Sequence, residues 1–393
     1  MPIRRTWRVV VVGLGGLGSA AAYRLARRLG GDVLGLEQYS FGHDNGASED
    51  HSRIIRYSYH TLPYVRLAAG AYEAWAEVEA ESGEQLVLRT GGLDLWPEHA
   101  ARYAIADHQA SLGACGVPFE LLESGEIMRR WPQWRLSEGT VGLFQPDGGL
   151  VDAGRANRAH RRLAAAHGAT LVEHARVTAL RPLPDGAIAL DVDGVGELVA
   201  QDVVLAADAW TNALLAPLGG ELPLTVTQEQ VTYFDSPRPD DFAPERFPIW
   251  IWMDEPSFYG FPAYGLPGPK VGQDIGGRVV TTETRDFDVD AAAAARVEDF
   301  VAAHLPWALG PPLLRKSCLY TLTPDRDFIV DRIPGLPHLL LVQGAAHAYK
   351  FAAHLGRIAA DLVVDGRTSA DLAPFRIDRP AITDPNAVTS YYV

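Results

Sequence analysis

Val9-Val10-Val11-Val12-Gly13-Leu14-Gly15-Gly16-Leu17-Gly18 is the stretch that decides the fold. Four consecutive valines suit a parallel strand covered on both faces, and they run directly into a G-x-G-x-x-G. Ala20, Ala21, Leu25 and Ala26 then supply one apolar helical face, Gly30-Gly31 ends the helix, and a second strand over 32–36 stops at Glu37. Each part has a physical task. Gly13 permits the tight turn, Gly15 and its neighbour Gly16 let the backbone approach a pyrophosphate, and Gly18 lets helix pack on strand. The helix start offers unpaired N–H groups and the positive end of its dipole to the phosphates. Glu37, 19 residues beyond Gly18, stands where an acid accepts hydrogen bonds from a ribose. The unit implies a ligand carrying an ADP moiety, either FAD or NAD(P).

Composition narrows the rest. The 393 residues are 47% hydrophobic and 21% charged, with mean hydropathy −0.03, which leaves ample apolar material for about two domains. Aromatic content of 9% without low-complexity tracts excludes a disordered chain. The net charge of −14, with no basic run beyond Arg4-Arg5, argues against nucleic acid as a partner. Two cysteines, Cys115 and Cys318, exclude a disulfide framework, so a reducing cytoplasm is expected. The 12 histidines show no metal-ligand spacing, and no metal is expected. Arg4, Arg5 and Arg8 before the uncharged 9–23 stretch imitate an export signal. That stretch is shorter than the roughly 20 apolar residues of a membrane span, and its glycines weaken it, so it reads as the start of the fold and no membrane partner is expected.

Along the chain, helices are expected over 64–84, 100–113, 152–167 and 290–304, with a closing amphipathic helix over 347–365 capped by Gly366. Val203 to Ala207 is a second buried strand, and short alternating segments over 222–285 suggest an antiparallel sheet. The fold class is therefore α/β (α+β overall): a Rossmann-like domain over 1–90, 145–220 and 320–393, interrupted by a mostly antiparallel substrate-binding domain over 91–144 and 221–319.

Several separated motifs carry a family resemblance: Gly13 to Gly18; Ser52-Arg53-Ile54-Ile55-Arg56; Tyr259-Gly260-Phe261-Pro262 with Lys270; Lys316-Ser317-Cys318-Leu319-Tyr320-Thr321; and His347-Ala348-Tyr349-Lys350-Phe351. Their order and spacing resemble the monomeric sarcosine oxidase and N-methyltryptophan oxidase family of FAD-dependent amine oxidases. The resemblance implies FAD attached through Cys318, oxygen as electron acceptor, and a small secondary amino acid as donor, handled by a monomer. It implies Arg56 and Lys350 on the substrate carboxylate with Asp274 nearby. Arg53, Ser52, Val177 and Lys350 would lie against the flavin, together with Tyr259 and His347. Lys270 would face the flavin from the side opposite the substrate, where oxygen reacts.

Read without the family, these residues leave alternatives open. Arg53 and Arg56 are three apart, so on a helical turn they would share a face and could grip a carboxylate; otherwise they are solvated. Lys350, between Tyr349 and Phe351, could equally snorkel outward. Positive charge in Arg315-Lys316 would lower the Cys318 thiol pKa, whereas a buried cysteine is ordinarily inert. Lys270 sits in a Gly/Pro-rich turn that often carries a solvated lysine, and Asp274 could pair with it and moderate its charge. The sequence also departs from the family: Asp274 replaces a histidine, His347-Ala348-Tyr349-Lys350 replaces H-G-F-K, and Asp208 replaces a glycine. An oxidase of cyclic imino acids, an NAD-dependent dehydrogenase and a non-catalytic nucleotide-binding protein are the competing readings.

Overall fold

The N-terminal valine run becomes the strand Thr6–Val12, and it is internal to its sheet, as its uninterrupted apolar character requires. Parallel neighbours flank it: Val33–Leu36, in register Val9 with Val33, and Gly196–Leu205, in register Val12 with Leu205. Thr170–Val172 and Leu336–Gln343 extend the parallel set on either side. Antiparallel strands complete eight in all. This computed structural model describes residues 3–100 and 104–387. The expected 100–113 helix runs Ile105–Ala114, and residues 101–103 lie outside the described residues.

The helix Gly16–Leu29 lies against Ala153–Ala166 and Ala352–Val364. Their approach is close because Gly356 lacks a side chain: a Cβ there would stand 2.6 Å from the Ala20 backbone. The expected 347–365 helix opens as a tighter 3-10 turn, Ala348–Phe351, before becoming α-helical.

A second, nine-stranded sheet is mostly antiparallel. Thr225–Phe234, Lys270–Asp274, Ser257–Phe261 and Ile249–Trp252 lie side by side, Pro312–Leu322 pairs along Thr225–Phe234, and Gly92–Trp96 joins in parallel to Ile249–Trp252. Its outer side is an aromatic core in which Phe300 stacks on Phe258 and Trp250. A third, three-stranded sheet was not anticipated; it contains Arg53–Ile55, Gly149–Val151 and Val87–Arg89. Among the described residues no helix is long and apolar enough to cross a membrane.

Candidate active site

Strand Thr6–Val12 ends at one wall of a long cavity that both large sheets line. Gly13 takes φ +87°, a left-handed conformation that glycine adopts without strain. A Cβ on Gly18 would fall 1.8 Å from the Gly13 carbonyl oxygen, so this glycine is needed where helix meets turn. Gly18 itself lies behind the cavity wall, whereas Gly13, Gly15 and Gly16 line it. The helix that follows has no acidic residue in its first turn, and the neutral Ser48 hydroxyl, accepting from the Gly16 N–H at 2.8 Å, leaves its positive end without a counter-charge for an anion to meet. Glu37 and Val177 line the same end of the cavity. Glu37 accepts the N–H groups of Leu14 at 2.9 Å and Tyr39 at 3.1 Å. Burial pushes its pKa up, but His43 and these two N–H groups together hold it below the ordinary value, so it is ionised.

Further along the cavity lies Lys270, only 2% exposed at the start of Lys270–Asp274. Its Nζ donates to Asp50 Oδ2 at 2.6 Å, to the Ser52 carbonyl at 2.9 Å and to Ser52 Oγ at 3.3 Å. The solvated-turn reading of this lysine is thereby excluded, and its carboxylate partner is Asp50, not Asp274. Ser52 does not line the cavity; it holds the lysine from behind. Asp50 also accepts from Arg53 at 3.0 Å and from the Tyr233 hydroxyl at 2.6 Å. Burial lowers the Lys270 pKa and Asp50 raises it, leaving it at about 8.

Cys318 faces the same region. Along Pro312–Leu322 the period-two alternation turns Lys316, Cys318 and Tyr320 toward the cavity. Arg315 faces the other way and pairs with Glu298, while Lys316 pairs with Asp44. The expected lowering of the thiol pKa by these neighbours fails. Burial pushes it up to about 11, against the opposing pull of Arg53 and Lys270. Cys115, at the end of Ile105–Ala114, is not on the cavity.

The substrate-clamp expectation is corrected in geometry. Arg53 sits on a strand and Arg56 just past its end, so they share no helical face. Arg53 engages Asp50, and Arg56 donates to Asp94 Oδ2 at 2.7 Å with both side chains 2% exposed. Asp274 receives Arg326 on both oxygens, at 2.8 and 3.3 Å. Lys350 differs from both arginines. It is buried, so it does not snorkel outward, and its ammonium makes no hydrogen bond or ion pair to a described residue. It lies 5.6 and 5.9 Å from the ring centres of Tyr59 and Phe351. Burial, reinforced by Arg56, brings its pKa down to about 7. His347 Nε2–H donates to the Arg326 carbonyl at 2.8 Å; burial and the nearby cations keep the ring neutral. The Tyr259 and Tyr320 hydroxyls meet at 3.4 Å on the same wall.

The family departures have local accounts. Asp208 takes φ +47°, the backbone region that favours glycine, and burial raises its pKa to about 6. A Cβ on Gly16 would come within 2.6 Å of the Tyr349 ring, whose hydroxyl proton is shared between the Ala153 carbonyl at 2.7 Å and Asn157 Oδ1 at 2.8 Å. Asp50, Asp94 and Arg326 escaped the sequence reading. One signal pointed to part of this site: the 35 basic residues include only three lysines, Lys270, Lys316 and Lys350, and all three line this cavity.

A family model described as FAD dependent oxidoreductase matches residues 8–362. The monomeric sarcosine oxidase of Streptomyces avermitilis is 34% identical over 94% of this chain and 97% of its own. Human peroxisomal sarcosine oxidase is 33% identical, covering 95% of this chain and 96% of its own. Among solved structures, NikD, titled an unusual amino acid oxidase essential for nikkomycin biosynthesis, superposes with TM-score 0.84 at 29% identity. That match covers 95% of this chain and 98% of NikD.

Proposed function

This chain belongs to the FAD-dependent oxidoreductase family, and on that premise we propose that it oxidises a secondary amino acid, N-methyl or cyclic, to an imine while oxygen becomes hydrogen peroxide. The balance is simple: the amine loses one hydrogen from carbon and one from nitrogen, and dioxygen gains both with their two electrons. The helix start free of acidic residues, the glycine turn and the ionised Glu37 fit FAD. Gly13, Gly15 and Gly16 would hold its phosphates, Glu37 and Val177 its adenosine end, and Arg53 its ring, with Cys318 as the point of covalent attachment. When bound, FAD supplies the two-electron acceptor that the side chains lack.

The observation that carries the substrate class is a charge inventory. Arg56 is matched by Asp94 and Arg326 by Asp274. Lys350 has no such match: apart from Lys270 and Arg53, which share Asp50, it is the cavity ammonium that stands desolvated with no carboxylate bonded to it among the described residues. A monocarboxylate supplies the opposite charge and restores what burial takes from the lysine. Asp274 accepts hydrogen bonds and suits a substrate amine, and the neutral His347 adds no charge. Lys270, already fixed by three hydrogen bonds, would place a cation where oxygen is reduced, stabilising the anion formed by the first electron.

Oxygen uptake measured with N-methyl and cyclic amino acids, and with their primary amides, tests this reading. We expect one peroxide per oxygen consumed with the acids and loss of turnover with the amides. Equal turnover of acid and amide would remove the carboxylate from recognition.

A further inference from the structure

Lys270 is not held by its own strand. Its three N–H bonds go to Asp50 Oδ2 and to the carbonyl and hydroxyl of Ser52, both on the segment leading into Arg53–Ile55. The same Asp50 oxygen takes Arg53, and the other oxygen takes the Tyr233 hydroxyl at 2.6 Å and the His51 N–H at 2.8 Å. One buried carboxylate, 5% exposed, therefore registers both cations on one wall of the cavity. We propose that Asp50 is a positioning residue for the reaction with oxygen: it keeps the Lys270 ammonium charged and fixed beside Arg53. This rests on the reading of Lys270 given above.

The physical reason is the company Lys270 keeps. The charged and titratable groups around it are Asp50, Arg53, Cys318 and Tyr233. Of these only Asp50 is anionic at neutral pH, and the lysine is desolvated next to a guanidinium. Without Asp50 both burial and Arg53 favour the neutral amine. The carboxylate thus does more for the lysine's proton than it subtracts from the field.

Two readouts on the flavin-bound protein separate this from a merely structural role. With only three lysines, selective 13Cε labelling gives three resonances, and the one lost in Lys270→Met belongs to Lys270. Its titration midpoint, about 8 in the parent, should fall by at least one pH unit in Asp50→Asn. The oxygen half-reaction, followed against pH by stopped flow, should shift the same way, slowing about ninefold or more at pH 9, while anaerobic reduction by substrate changes less than threefold. Asp50→Glu, which keeps the charge but displaces it, should shift both midpoints less and so partly rescue the profile; it also serves if Asp50→Asn does not accumulate. An unmoved Lys270 midpoint in both variants overturns the proposal. Faster reaction with oxygen in Asp50→Asn at every pH also overturns it, making Asp50 a brake. If Lys270→Met reacts with oxygen at the parental rate, the oxygen role of Lys270 fails, whereas the resonance titration still judges what Asp50 does to it.

Discussion

Lys350→Met separates the binding role of this lysine from its cost to the fold. The substitution keeps side-chain length and removes one charge. A charge-assisted hydrogen bond is worth about 1.5–3 kcal/mol, so carboxylate affinity should fall about 10- to 150-fold. Stability should move the opposite way. The folded pKa, about 7, lies below the ordinary 10.5, so the unfolded chain binds more protons between those values and stability rises with pH across that window. At pH 7 the buried ammonium opposes folding by at most about 4 kcal/mol. The variant should therefore melt higher at pH 7, by at least a few degrees, and the gap should narrow toward pH 10. Carboxylate affinity is read by titrating the flavin spectrum of the oxidised protein with acetate or a longer alkanoate, and melting by fluorescence. In the parent, affinity should weaken as pH rises past 7. An affinity loss under threefold, or a variant that melts lower, would refute the reasoning.

Three further outcomes follow from the same geometry. Cys318→Ser should release its flavin on acid precipitation while the parent pellet stays yellow; a colourless parent pellet excludes the thioether. Lys270→Met should slow the oxygen half-reaction at least ~100-fold, about 2.7 kcal/mol of barrier, with much less effect on anaerobic reduction; stopped flow on both halves decides it. Arg56→Ala strands the buried Asp94 carboxylate and should cost about 3–5 kcal/mol of stability, most of it recovered in the double variant Arg56→Ala/Asp94→Asn, and denaturant titration that finds the two costs additive contradicts the pairing.

The nucleotide half of the molecule was legible because its signals are local. Strand, turn, helix and acid occupy consecutive residues, and each glycine has a steric reason that sequence spacing preserves. The electrostatics of the chamber were not legible in this way. Whether Arg56 is a free clamp or half of an ion pair depends on Asp94, and Lys270 meets its partner across 220 residues. Asp274 was rightly singled out as unusual but wrongly paired, since its partner Arg326 sits in a tight turn with φ +60° that no periodicity marks. Arg53 looked helical because three-residue spacing suits a helix, yet pairing with Val151 in an unanticipated three-stranded sheet decides its conformation. Burial, which a sequence reports only on average, reversed the expected effect on Cys318.

Anaerobic mixing of the purified protein with an N-methyl amino acid tests the central claim most directly. The account predicts that the yellow absorbance of the oxidised flavin disappears on mixing and returns on admitting air, with one hydrogen peroxide released per cycle. A flavin that stays oxidised with every secondary amino acid offered, N-methyl and cyclic alike, would contradict it.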